Sequence, residues 1–254
     1  MKTRTSGVRK THATASVMVR KHKVSLSDAE VKRLVIDLLK TPSERDKQRK
    51  VGASQISNPC DYCLANALRG GPSVPNRWWL GARIGTAIHA ALEAEEEKHI
   101  DRPRSYHFDS LAGAKIEEKI TLGVIQGYGV ISSKPDLALV KERHLLDHKT
   151  TIKEKLKKNK LYGVPLAYEY QTQLYAWGLN KQGIRIDRIS LNFICRDGTT
   201  DDDIWIYSLD YNEEKAVLAW SRLEAIWEFV NNGGDISTLR SHEDCFPCSI
   251  EGRV

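Results

Sequence analysis

The chain has no apolar run approaching the roughly 20 residues that a membrane-crossing helix requires. Its first residues hold no apolar segment of the kind a secretory leader carries. These absences predict a cytoplasmic protein that does not engage a membrane. An internal repeat is also missing, which excludes a solenoid or propeller. So is a helix-turn-helix or other base-reading motif, which argues against site-specific contact with nucleic acid. Cysteine is scarce, five residues in 254, and in a reducing compartment these are not expected to form disulfides.

What is present is ordinary for a globular protein: 41% hydrophobic and 28% charged residues. The length suits one large domain or two small ones. The charge is uneven. Residues 1–50 carry 14 Lys/Arg against 5 Asp/Glu, a net +9, which leaves −3 for the rest of a chain whose total is +6. A basic arm on a mildly acidic body fits either a polyanionic partner or a solvated tail, and one segment can be both.

Residues 1–24 read as a flexible basic arm. Residues 25–78 read as a helical region holding the first cysteine pair. Its first helix, ending at Lys40, is capped by Ser27 with Glu30 three residues later, and Val31, Leu34, Val35, Leu38 and Leu39 form its apolar stripe. Residues 79–231 read as the core. A helix over 79–98 shows an apolar stripe through Ile84, Ile88, Ala91 and Leu92. Strands follow at 119–125, 135–140 and 144–150, then a basic loop or helix start at 153–160 and a helix over 168–180. Strands at 185–195 and 204–209 and a helix over 213–230 complete it. Residues 232–254 form a tail with the second cysteine pair. The mixture is α/β or α+β.

Four of the five cysteines stand as two pairs of identical spacing, Cys60/Cys63 and Cys245/Cys248. Four thiolates so spaced are a strong metal signal. The fifth, Cys195, reads as a small core residue.

Four further places could carry chemistry. In GTAIHAALE, Gly85, His89 and Glu93 recur every four residues and share a helical face, Gly85 allowing another backbone close; the histidine alone could equally be structural. In SSKPDLALV, Asp136 opens a strand behind Pro135, as a turn cap or as a carboxylate at the rim of the sheet. In LLDHKTT, the period of two puts Asp147 and Lys149 on one side, either as an ion pair or as a metal ligand beside a catalytic lysine. VKER, residues 140–143, would turn the chain so that Asp136 and Asp147 fall on adjacent strands. In YQTQLY, Gln171 and Tyr175 share a helical face with Tyr168 one turn back, as packing residues or as part of a site.

Taken in order, GTAIH, KPD, LLDHKT and QTQLY resemble the PD-(D/E)XK nuclease superfamily, in its RecB-type exonuclease branch. That branch includes the AddB nuclease domain and the CRISPR-associated nucleases with a cysteine-bound cluster. The resemblance spans about residues 80–180. It implies a restriction-endonuclease-like core, a central mixed sheet flanked by helices. It implies Mg2+ or Mn2+ held by His89, Asp136, Asp147 and the main-chain carbonyl of His148, with Lys149 acting on the attacking water or the phosphate. Gln171 and Tyr175 would flank the site and steady the DNA strand or Lys149. Glu93 stands outside the family's pattern.

The implied activity is a DNA exonuclease acting on ends or single strands without sequence preference, in recombination, repair or replication, in a bacterial or phage-infected cell, alongside a recombination or replication partner. The alternatives are a structure-specific endonuclease and a non-catalytic DNA-binding module. Lys153, Lys155 and the basic arm would meet phosphates, and Trp78, Trp79, Tyr162 and Tyr168 are candidates for stacking on bases. Related nucleases hold a [4Fe–4S] cluster on one upstream and three downstream cysteines; two and two here favour Zn2+ over that cluster.

Overall fold

The computed structural model describes residues 27–40, 50–71, 79–100, 106–243, 245, 248–249 and 252–253. The expected basic arm and Trp78 lie outside these residues, as does the side chain of Trp79. The chain divides into two compact units, residues 1–41 and 42–254.

In the first unit, helix α1 (Asp28–Lys40) starts as its sequence dictates. Ser27 Oγ accepts from the Glu30 N–H, and the Glu30 carboxylate accepts from the Ser27 N–H at 2.8 Å, the reciprocal cap that satisfies orphan donors at a helix start. The apolar stripe faces outward, with Leu38 66% exposed.

The second unit begins with two short helices, α2 (Ala53–Ile56) and α3 (Asp61–Leu68), then the long α4 (Trp79–Ile100). Five strands follow: β1 (Lys115–Ile116), β2 (Ile120–Ile125), β3 (Gly129–Ser133), β4 (Leu137–Leu139) and β5 (His144–Thr151). Helices α5 (Lys153–Tyr162) and α6 (Leu166–Lys181), strands β6 (Arg188–Cys195) and β7 (Ile204–Asp210), and helix α7 (Glu213–Asn231) complete the unit. The main sheet runs β1-β4-β5-β6-β7, and β2 and β3 form a separate antiparallel ribbon. Only β5 and β6 are parallel among the sheet's pairings, so the sheet is mixed. A parallel neighbour needs a crossover, and α5 and α6 supply it.

Helices cover both faces of the sheet, a mixed α/β architecture as expected. Alternation along β5 sends Leu145, Asp147 and Lys149 toward α6, where Leu145, Leu174 and Ile189 share the main core. The other face meets α4: a Cβ at Gly85 would stand 2.7 Å from Thr150 Oγ1, so only glycine lets α4 lie this close. The β2–β3 ribbon buries Ile120, Leu122 and Ile131 in the main core. Trp177 of α6 and Trp220 of α7 meet there at 5.4 Å between ring centres. Cys195 is buried in a second core with Leu156, Leu191 and Phe193.

The structure sharpens two readings. The Ile84/Ile88 stripe is not the inward face of α4, since Ile84 is 42% exposed. The inward face carries Gly85, His89, Glu96 and His99, of which Gly85 and His99 are buried. Polar residues face in because their partners are polar groups of the sheet. Of the two readings of residues 153–160, the helix holds, because Leu156 is buried against the second core while the lysines of α5 face water.

Candidate active site

The site forms where α4, the start of β4, the middle of β5 and α6 meet. Register explains the approach of the two acids. Leu137 pairs with Leu146 across β4 and β5, so the next rung sets Asp136 beside Asp147, with Val140–Arg143 as the turn. Asp136 is buried, and its Oδ2 accepts from the His148 main-chain N–H at 2.7 Å. Its Oδ1 lies 3.6 Å from His89 Nδ1 on α4. Burial alone would raise the Asp136 pKa, but His89, the His148 N–H and Lys149 outweigh it and hold the carboxyl below its usual range.

Asp147 is 1% exposed, and its Oδ2 lies 2.6 Å from Lys149 Nζ. Burial pushes the Asp147 carboxyl up, the Asp136 charge adds to the rise, and Lys149 opposes it. Lys149 Nζ also donates to Gln171 Oε1 at 3.0 Å, and Gln171 Nε2 donates to the Tyr175 hydroxyl at 2.8 Å. The Tyr168 ring centre is 5.0 Å from the same ammonium. The His148 side chain leaves by the opposite face, where Nε2 meets Glu96 Oε1 at 3.2 Å and Nδ1 meets Asn192 Nδ2 at 3.4 Å.

The motif residues form two contact sets, His89 with Asp136 and the His148 main chain, and Asp147 with Lys149, Gln171 and Tyr175, which adjoin where His148 follows Asp147 in β5. Glu93 forms no part of either among the described contacts. Glu96 and Glu117 do approach them, and the sequence pattern singled out neither. His89, Glu117 and Asp136 each offer one ligand atom, all within 4.8 Å of one another, and Asp147 is not in that group. Lys153 is engaged elsewhere, its Nζ 2.9 Å from Asp203, while Lys155 and Tyr162 on α5 are exposed.

The second cluster joins Cys60, Cys63, Cys245 and Cys248. The Sγ–Sγ separations are 3.5 Å for Cys60–Cys248, 3.4 Å for Cys63–Cys245 and 3.6 Å for Cys63–Cys248. No pair is bonded. Burial pushes the Cys63 thiol far up and Cys245 up to about 11. Burial opposes the thiolate at Cys60 too, but hydrogen bonds from the Cys63 and His242 main chain and from neighbouring thiols lower its pKa. Four thiolates this close repel one another, and a cation among them would offset that charge, so the cluster could hold a metal. Arg222 of α7 steadies the approach to Cys60, donating to Asp61, Ile56 O and Asn58 O at 2.7–3.0 Å.

No protein-family model matches the chain, and no curated protein matches it in sequence. Solved structures resemble it distantly. A protein of Eubacterium rectale provisionally described as an exonuclease is 13% identical, with 84% of this chain and 94% of that one aligned and a TM-score of 0.49. An alkaline exonuclease from Laribacter hongkongensis is 12% identical over 72% and 89% of the two chains, with a TM-score of 0.47. The same exonuclease in complex with dAMP is 14% identical over 72% and 89%, with a TM-score of 0.46. With scores this low these likenesses decide nothing about chemistry; the side chains must.

Proposed function

We propose that this chain is a divalent-cation-dependent deoxyribonuclease of the PD-(D/E)XK superfamily, in its RecB-type branch. It hydrolyses phosphodiester bonds at DNA ends or in single strands, in the service of recombination, repair or replication. The observation that supports this reading is the contact of His89 with Asp136, whose carboxylate is anchored on the strand that carries the Asp147–Lys149 pair.

His89, Asp136 and Asp147 would hold Mg2+ or Mn2+, with the His148 carbonyl. In a strand one residue's N–H and C=O leave by the same edge. The His148 N–H meets Asp136, so its carbonyl faces that side as well. Carboxylate, carbonyl and imidazole donors suit these cations. When bound, the cation supplies Lewis-acid polarisation of the phosphate and a more acidic water. Lys149, held between Asp147 and Gln171, donates to the attacking water or to a phosphate oxygen as charge builds. Tyr175 fixes Gln171. Lys155 and the basic arm neutralise phosphates without reading bases.

We assign the four cysteines to one Zn2+ that staples the segment before the core to the C-terminal tail. Zn–S bonds of about 2.3 Å in a tetrahedron set thiolates about 3.8 Å apart, close to the 3.4–3.6 Å found. A [4Fe–4S] cubane interposes iron and sulfide and spreads its cysteines much farther.

The test is digestion of linear and covalently closed DNA, single- and double-stranded, with Mg2+ or Mn2+. Loss of linear DNA alone supports the exonuclease. Nicking of closed circles makes it an endonuclease. No cutting with any cation leaves only a binding module.

A further inference from the structure

We propose that Glu117, which lies outside the motif pattern, is a further protein ligand to the catalytic cation. The inference rests on the nuclease reading of the same site.

Register puts Glu117 there. β1 pairs antiparallel with β4, Lys115 with Ala138 and Ile116 with Leu137. The next rung is Glu117 opposite Asp136, and the Glu117 N–H donates to the Asp136 carbonyl at 3.0 Å. Two carboxylates directly opposite on neighbouring strands repel. A second cost coincides with the first: Glu117 has φ 45°, a left-handed backbone that is unfavourable for a residue with a Cβ. Adjacent Glu118 shows what an ordinary surface glutamate does here, pairing with Lys115 at 2.6 Å. Glu117 offers one ligand atom that lies within 4.8 Å of those of His89 and Asp136. Two unfavourable choices at one rung are expected where function needs them.

The spacing suits a cation. Donors at about 2.1 Å from an octahedral ion lie about 3 Å apart when adjacent and about 4.2 Å when opposite. His89 Nδ1 and Asp136 Oδ1 are 3.6 Å apart, and a modest contraction of the three brings them to that geometry. The donors come from three elements: α4, the end of β1 and the start of β4. Asp147 approaches from a fourth, β5, with its carboxylate turned toward Lys149. Glu117 thus closes the side of the site away from Lys149.

The test uses the full chain, with Mn2+ binding followed by electron paramagnetic resonance and thermal unfolding measured with and without Mn2+. Glu117→Gln is expected to weaken Mn2+ binding about tenfold or more. The metal-free melting temperature is read alongside, so that a variant that fails to fold is told apart from one that fails to bind. Glu118→Gln serves as the neighbouring control and should bind Mn2+ as wild type does. Wild-type Mn2+ affinity in Glu117→Gln overturns the proposal, as does a lowered metal-free melting temperature with affinity retained. Asp136→Asn separates the two readings. If it abolishes Mn2+ binding while Glu117→Gln does not, only the role of Glu117 fails. If neither variant changes Mn2+ binding, the nuclease site itself is wrong.

Discussion

The main-chain N–H of His148 donates to Asp136 Oδ2 across 2.7 Å, and that bond joins two strands into one device. The middle residue of the Asp-His-Lys run anchors the acid of the neighbouring strand. Its side chain is meanwhile held on the far face by Glu96 and Asn192. Aligning the site therefore depends on both faces of β5.

The close approach of α4 to β5 should be testable by bulk alone. Gly85→Ala sets a Cβ 2.7 Å from Thr150 Oγ1. The helix must shift and carry His89 with it, at a cost of about 1–3 kcal/mol. Thermal melts and Mn2+ titration are expected to fall together. Thr150→Ala in the same chain should restore both, and a double variant no better than Gly85→Ala argues against a steric cause.

Lys149 and Asp147 should prove coupled. Lys149→Met leaves a buried carboxylate without its cation, which costs about 3–5 kcal/mol. Adding Asp147→Asn removes that charge. The double variant is expected to be more stable than Lys149→Met alone, as a denaturant-melt cycle will measure. Additive losses would mean that the pair does not interact.

A pH effect should arise at the turn before β7. The main-chain N–H of Thr199, then Lys153, then the N–H of Thr200 lower the Asp203 pKa from 3.8 to about 2. A carboxyl depressed on folding stabilises above its unfolded pKa and loses that contribution as pH falls through the folded one. Asp203→Asn should therefore melt below wild type at pH 6, with the gap closing between about pH 4 and pH 2. A gap that persists unchanged to pH 2 would show that the charge is not responsible.

Removing one thiol should unstaple the tail. Cys63→Ser is expected to lose zinc from about one per chain and to lower the melting temperature by on the order of 10 °C. Elemental analysis and a melt check this. A brown protein containing iron and sulfide would instead identify a cluster.

Much of this was legible because it is periodic. The alternation of Leu145, Asp147 and Lys149 fixed which side chains share a face, and the spacing of Gln171 and Tyr175 did the same on α6. The VKER turn set Asp136 beside Asp147. What escaped was non-periodic. β1 spans two residues and β3 contains Gly129 and two serines, so neither has a strand's apolar rhythm. Glu117 was hidden because its place depends on β1 pairing across twenty residues with β4. The inward face of α4 has no apolar stripe, because its partners are Thr150, His148 and Asp136 rather than a hydrophobic core, and it was legible only through the spacing of Gly85 and His89.

The most direct test of the central claim is a time course of nucleotide release from end-labelled linear DNA, comparing wild type with Asp147→Asn. Each is assayed in Mn2+ and in EDTA, with DNA binding measured alongside. Wild type is expected to release nucleotides in Mn2+ only. A loss of at least about a hundredfold is expected in Asp147→Asn, with DNA affinity within a few-fold of wild type. Release that survives EDTA, or an Asp147→Asn variant that cuts as fast as wild type, would contradict that claim.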